Sequence, residues 1–166
     1  SNWRWAGTPF YLRTGKKLRA RASEIAVVFK DAPHSIFGAE AGRPRNALII
    51  RLQPNEGMTL DVTIKEPGPG GMRLLDVPLD MSFAEALSGA EVPDAYERLI
   101  MDVIRGNQTL FMRSDEVEAA WAWTDPIIDG WTARKDVPKP YDAGSAGPED
   151  SLMLMHRDGR RWREIR

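Results

Sequence analysis

Apolar and polar residues alternate along several stretches of the first half of the chain. In Ala22–Asp31, Ile25, Val27 and Phe29 share one side and Val28 takes the other. In Asn46–Gln53, Leu48, Ile50 and Leu52 oppose Ile49, Arg51 and Gln53. In Met58–Lys65, Met58, Leu60, Val62 and Ile64 oppose Thr59, Asp61, Thr63 and Lys65. A period of two predicts strands. Pro54-Asn55-Glu56-Gly57 lies between the last two and predicts a hairpin with one buried face, its turn made by Asn before glycine. Met72–Phe83 reads as a further strand, with Leu74, Val77, Leu79 and Met81 inward and Pro78 demanding an edge or a bulge. Phe10-Tyr11-Leu12, bounded by Pro9, predicts a short first strand.

The period then lengthens to that of a helix. Tyr96, Leu99, Ile100, Val103 and Ile104 fall at i, i+3, i+4, i+7 and i+8, a continuous apolar stripe. Asp94 and Glu97 suit its positive end, Arg105 its negative end, and Gly106 stops it. Ser114 reads as the cap of a second helix with Asp115 and Glu116 in its first turn. Its stripe is Val117, Ala120, Trp121, Thr124, Ile127, Ile128 and Trp131, with the tryptophans as core. Pro126 predicts a kink near Ala122–Trp123.

Loops fill the rest. Asp31–Arg45 holds Pro33, Gly38, Gly42 and Pro44, and His34 there reads as an exposed or capping residue. Val137–Pro148 is rich in Pro and Gly, a length without periodicity that is often functional. His156–Arg166 reads as a basic, solvated tail. Strands first and helices afterwards give an α+β fold: a large antiparallel sheet with helices packed on one face. The other face is left for a partner.

Composition narrows the function classes. The chain has 166 residues, 42% of them hydrophobic, enough for one domain with a real core. Lys and Arg number 23, Asp and Glu 24, for a net charge of −1, which is not the balance of a general polyanion binder. Cysteine is absent and histidine occurs twice, at 34 and 156, which argues against a structural zinc site and fits the cytosol. No run is long and apolar enough for a membrane span, and Ser1–Trp5 has no signal-peptide core. Trp3 and Trp5 predict a packed end. A start without Met predicts a piece of a longer protein, with Ser1 and Asn2 as a cleavage remnant.

The chemistry concentrates in Pro9–Arg21. Arg13, Lys16, Lys17, Arg19 and Arg21 put five cations around Gly15, a plausible anion grip if a rigid element sets their direction. Its plainer reading is a solvated basic loop. No strand leads into a Gly-x-Gly-x-x-Gly, and there is no P-loop or nucleophile elbow. Gly68-Pro69-Gly70-Gly71 is a turn. The acidic pairs are explained by helix starts, and no residue makes a convincing general base. Alone, the chain reads as half of an active site.

Trp5-Ala6-Gly7-Thr8-Pro9-Phe10-Tyr11-Leu12-Arg13-Thr14-Gly15-Lys16, Arg51-Leu52-Gln53-Pro54-Asn55-Glu56, Pro93 to Ile100, Arg113-Ser114-Asp115-Glu116, Pro140-Tyr141 and Gly144 to Pro148 resemble the C-terminal domain of the glucose-6-phosphate dehydrogenase family, in the same order and over essentially the whole chain. The resemblance implies that residues 1–166 form a C-terminal substrate-binding and dimerisation domain. The N-terminal Rossmann domain, with the dinucleotide fingerprint and the catalytic histidine–aspartate pair, lies outside this chain. It further implies oxidation of glucose 6-phosphate to the 6-phosphogluconolactone with reduction of NADP, or of NAD in some bacteria, and a homodimer or tetramer formed through the sheet. Carried over by position, Lys16, Arg21 and Gln53 are substrate-binding. No residue here is implied as catalytic, as cofactor-binding or as a metal ligand.

Some members bind a second, structural NADP between sheet and tail, at positions matching Arg13, Arg51 and Trp162. Ala22, Ala26 and Ala146 stand where that site calls for polar or basic side chains, which argues against a structural NADP here. Two other classes compete with the dehydrogenase fragment. One is a stand-alone binding or assembly module with the same sheet and no catalysis. The other is a nucleic-acid-binding module built on Arg13–Arg21 and Arg157–Arg166, disfavoured by the near-zero net charge.

Overall fold

The computed structural model describes residues 3–31, 33–34, 45–69, 71, 73–88 and 94–164. The chain forms two compact units, Ser1–Ser88 together with Pro140–Arg166, and Gly89–Lys139.

The first unit is built on a four-stranded antiparallel meander: β1 (Ser23–Val28), β2 (Ala47–Gln53), β3 (Gly57–Lys65) and β4 (Leu74–Ser82), in that spatial order. These are the strands that the two-residue period predicts, and the fold is α+β. Pro78 lies on β4, an edge strand, where its missing N–H costs no ladder bond on the open side. The β2–β3 turn differs in detail from its expectation. Asn55, not the glycine, takes the left-handed conformation, at φ 59°, and the Gln53–Pro54 peptide is cis. Gly57 has instead entered β3, where a Cβ would collide with the carbonyl oxygen of Met81.

Register sorts the side chains into two faces. Ile25 pairs with Ile50, Val27 with Leu48, Met58 with both Ile50 and Met81, Leu60 with both Leu48 and Leu79, and Ile64 with Leu75. The apolar face is therefore the expected one, except that Leu75 and not Leu74 belongs to it. It is not the better-buried face. Ile25, Ile64, Leu75, Leu79 and Met81 are all more than a third exposed. Burial peaks on the opposite face, at Ile49 (1% exposed), Ala47 and Thr59. There Ile49 pairs with Thr59 and Thr59 with Asp80, and Arg51 is the next residue of that face along β2.

The predicted strand at Phe10–Leu12 does not form. Residues 8–15 run without strand pairing, and Phe10 and Leu12 are exposed. Three apolar residues after a proline are too few to secure a place in a sheet whose four strands each span six residues or more. The N-terminal turn, Trp3–Trp5, is exposed at Trp3, so the packed end is not found. Trp5 stands edge-on to Phe10, with ring centroids 5.6 Å apart. A short α1 (Phe83–Ala86) follows directly on β4 and packs against it.

In the second unit, α2 (Ala95–Arg105) is capped by Asp94, whose side chain accepts from the Tyr96 N–H at 2.8 Å, and closed by Gly106 at φ 67°. Both ends match their sequence signals. Next, α3 (Ser114–Arg134) is capped by Arg113 and not by Ser114. The Arg113 backbone N–H donates to the Glu116 carboxylate at 3.0 Å. The helix continues through Pro126. Its tryptophans are half-exposed or more, not core, and no residue of α3 is buried. An apolar stripe is buried only against a complementary surface, and the described residues of this unit supply none for it.

The first unit closes with α4 (Glu149–Arg157), which the two-residue and 3.6-residue patterns did not signal. Pro148 at its start, Glu149 and Asp150 in its first turn and Arg157 in its last are helix-end signals in a segment too short to show a clear stripe.

Candidate functional site

The cationic stretch lies in the first unit as an irregular segment shaped from outside. The Lys16 carbonyl accepts from the Tyr141 hydroxyl at 2.7 Å, and the Lys17 carbonyl from the Gly144 N–H at 2.8 Å. The Arg19 N–H donates to the Ser145 carbonyl at 2.9 Å. Residues 16–19 are thus tied to residues 141–145, the Pro- and Gly-rich stretch that the sequence marks as functional. Lys17 is held at φ 53°, a conformation that side-chain-bearing residues adopt at a cost of about 1–3 kcal/mol. Leu18 is half-buried beneath the turn, while Lys16, Lys17, Arg19 and Arg21 are exposed. Among the described residues, neither Lys16 nor Arg21 has an ion-pair partner.

Gln53 sits at the end of β2, opposite Ser23 on β1, where the register shifts between Ser23 and Glu24. It lines a cleft of about 280 Å³ with Ala22, Ser23, Glu24, Arg51 and Asp80 among its neighbours. Arg21 precedes the cleft by one residue in the chain. Neither Arg21 nor Lys16 lines it. Of the three expected substrate-binding positions, then, only Gln53 belongs to this cleft, and Lys16 belongs to the turn clamped by Tyr141.

A different cation dominates the cleft. Arg51 donates to the Asp80 carboxylate at 2.7 Å, to the Thr59 hydroxyl and to the Asn55 carbonyl. Thr59 also bonds Asp80. The Arg51 guanidinium, then the Thr59 hydroxyl, hold the Asp80 carboxyl below the ordinary carboxylate range by bonding to its charged form. A strand-face Arg opposite a Thr–Asp pair is a signal that period-two reading passes over, because it tracks apolar positions and not register.

The C-terminal segment is stapled back onto the start of the chain. Arg163 pairs with Glu24 at 3.1 Å, and its carbonyl accepts from Arg13. The Arg13 guanidinium lies 5.1 Å from the centre of the Trp162 ring, and the indole N–H donates to the Ser151 carbonyl. The Tyr11 hydroxyl donates to Asp158. That bond, then burial, raises the Tyr11 pKa above its usual value. The basic tail is therefore docked at Trp162 and Arg163, while His156, Arg157, Arg160 and Arg161 stay exposed as expected of a solvated segment. His34 is exposed, as expected. Among the described residues no group of His, Asp and Glu is placed to hold a metal ion, and no helix is long and apolar enough to cross a membrane.

Comparison with known proteins places these features. A glucose-6-phosphate 1-dehydrogenase of Rhizobium meliloti is 61% identical over 165 residues, covering 99% of this chain and 33% of its own length. One from Mycolicibacterium smegmatis is 56% identical over 97% of this chain and 32% of its own. The chain thus spans about a third of the length of the curated relatives it matches. Among solved structures, the glucose-6-phosphate 1-dehydrogenase of Mycobacterium avium superposes with a TM-score of 0.78 at 32% identity, over 99% of this chain and 33% of that one. A glucose-6-phosphate dehydrogenase in complex with its substrate glucose-6-phosphate superposes at 0.75 with 29% identity, over 90% of this chain and 30% of that one. The family described as glucose-6-phosphate dehydrogenase, C-terminal domain, matches residues 1–163, and the chain belongs to that family.

Proposed function

We propose that this chain is the substrate-binding and dimerisation part of a glucose-6-phosphate dehydrogenase, which oxidises glucose 6-phosphate to 6-phosphogluconolactone and reduces NADP. The observation that carries this reading is the family match over residues 1–163, within which the exposed cationic turn is held in shape by the chain's own backbone. Lys16 offers three donors to sugar or phosphate oxygens, and Arg21 grips an oxyanion with two. Gln53 provides an amide at the neighbouring strand end. These groups supply orientation and binding energy, which is how a domain without a base or a dinucleotide site contributes to rate.

NADP supplies the hydride acceptor when bound. It would be held by the part of such relatives that this chain does not span. A second, structural NADP does not fit the residues present. Arg51 is committed to Asp80 and Thr59, and Arg13 to Trp162 and the Arg163 carbonyl. Ala22, Ala26 and Ala146 offer no donor side chains. The half-exposed apolar face of the sheet supports self-association into a dimer or tetramer. The cytoplasm suits a cysteine-free sequence.

The test is a dehydrogenase assay of the full-length gene product and of this chain side by side, with glucose 6-phosphate and each nicotinamide cofactor. Reduction by the full-length protein and none by this chain is expected. No reduction by either would overturn the reading in favour of a binding or assembly module. Sedimentation of this chain should show self-association, and a monomer at high concentration would remove the sheet face as an interface.

A further inference from the structure

Lysine is a flexible cation. Its four-carbon stem sweeps a wide volume unless its own backbone is fixed, so a lysine that binds a ligand selectively needs a stiff anchor at Cα. The segment carrying Lys16 has no strand or helix to provide one. Three hydrogen bonds from residues 141–145 do so instead, at the Lys16 carbonyl, the Lys17 carbonyl and the Arg19 N–H. Two of the three are backbone to backbone. The third, from the Tyr141 hydroxyl, is made by a side chain and acts on Lys16 itself.

Gly15 leaves room for that bond. A Cβ built there would lie 3.2 Å from the Tyr141 hydroxyl oxygen and 3.2 Å from Leu18 Cγ and Cδ1. Gly15 does not have a positive φ, so its backbone does not require glycine. What favours it is the space beside Leu18 and the phenol, which a methyl group would crowd by a few tenths of an ångström. On the other side, Ser145 accepts a bond from the Gly147 N–H at 3.2 Å, which shapes the strap that carries the other two contacts.

We propose that Tyr141 is a positioning residue for the sugar phosphate: its hydroxyl fixes the Lys16 backbone, and Gly15 is small so that it can. The proposal rests on the reading that Lys16 binds the substrate. Tyr141 touches no substrate and moves no proton; it narrows the volume that the Lys16 ammonium explores.

The test is steady-state kinetics of the full-length gene product carrying Tyr141→Phe, Gly15→Ala, Lys16→Ala and the pairwise combinations with Lys16→Ala. Tyr141→Phe is expected to raise KM for glucose 6-phosphate about three- to tenfold, the worth of one neutral hydrogen bond. Turnover and KM for the nicotinamide cofactor should stay within about twofold, and the thermal midpoint should hold. Gly15→Ala should reproduce the effect by pushing the phenol away. In the Lys16→Ala background both changes should lose their effect, because the side chain they position is gone.

A KM that does not move in Tyr141→Phe while Lys16→Ala raises it would overturn the proposal and leave the substrate reading standing. So would an effect that adds in full to that of Lys16→Ala, or one shared equally by the cofactor's KM. An unchanged KM in Lys16→Ala itself would overturn the reading beneath it.

Discussion

Two basic regions of the same unit use their charges in opposite ways. On the sheet, Arg51 spends its guanidinium on Asp80, Thr59 and the Asn55 carbonyl, and the cluster is closed. In the turn, the contacts that shape residues 16–19 are made by backbone groups and one phenol, and the Lys16 and Arg21 side chains are left exposed. The difference separates charge that the fold holds from charge that it leaves open to solvent. A cation that is needed for the fold cannot also be offered to a ligand, whereas a cation whose backbone alone is needed can. Burial agrees: the closed cluster sits beside Ile49, which is 1% exposed, and the turn covers only the half-buried Leu18.

That contrast predicts a division between stability and binding. The largest effect belongs to the sheet. Ile49→Ala should cost about 2–5 kcal/mol of unfolding free energy, the range for emptying a fully buried aliphatic site. Chemical denaturation would measure it, and a loss under about 1 kcal/mol would show that the face closes over less than its burial implies. Lys16→Ala comes next, and its effect should appear only in binding. KM for glucose 6-phosphate should rise roughly ten- to a hundredfold, for a charged hydrogen bond of about 1.5–3 kcal/mol, with the denaturation curve unmoved. A shift in stability instead would erase the contrast.

The third effect is one of pH. Asp80 is held below the ordinary carboxylate value of about 3.9 by Arg51 and Thr59. The stability it contributes is therefore present above that value and is lost as pH falls through the lower folded one. Asp80→Asn should flatten the acid limb of a melting-temperature profile below about pH 4, and an unchanged limb would mean that the cluster is not closed in solution. The smallest change is expected at Tyr11, whose pKa is raised chiefly by its bond to Asp158. Its contribution is present below about pH 10 and fades as pH rises through the higher folded value. Tyr11→Phe should remove that alkaline dependence while leaving neutral stability and KM nearly as they were.

The strands and α2 were legible because each is long enough for its period to repeat. β3 shows four apolar positions in alternation, and α2 has a side-chain cap and a glycine stop. The elements misread were short. Phe10–Leu12 has strand residues but no neighbour to pair with, and α4 is a helix of nine residues. Which sheet face is buried was not legible either. Alternation tells which residues share a side, and Ile49 and Thr59 do share one, but it is packing that decides which side is covered. Around the site, the cations of the turn stood out in the sequence, whereas their anchor did not. Tyr141 is 125 residues from Lys16, and no periodicity links them.

That separation sets an order in time. At a synthesis rate of about 5–20 residues per second, roughly 6–25 s pass between the making of Lys16 and the making of Tyr141. Through that interval the three bonds from residues 141–145 do not exist, and the Arg163–Glu24 closure comes later still. A nascent chain arrested before residue 141 carries every charge of the turn and none of its clamp. The turn is closed by a segment made 125 residues after it.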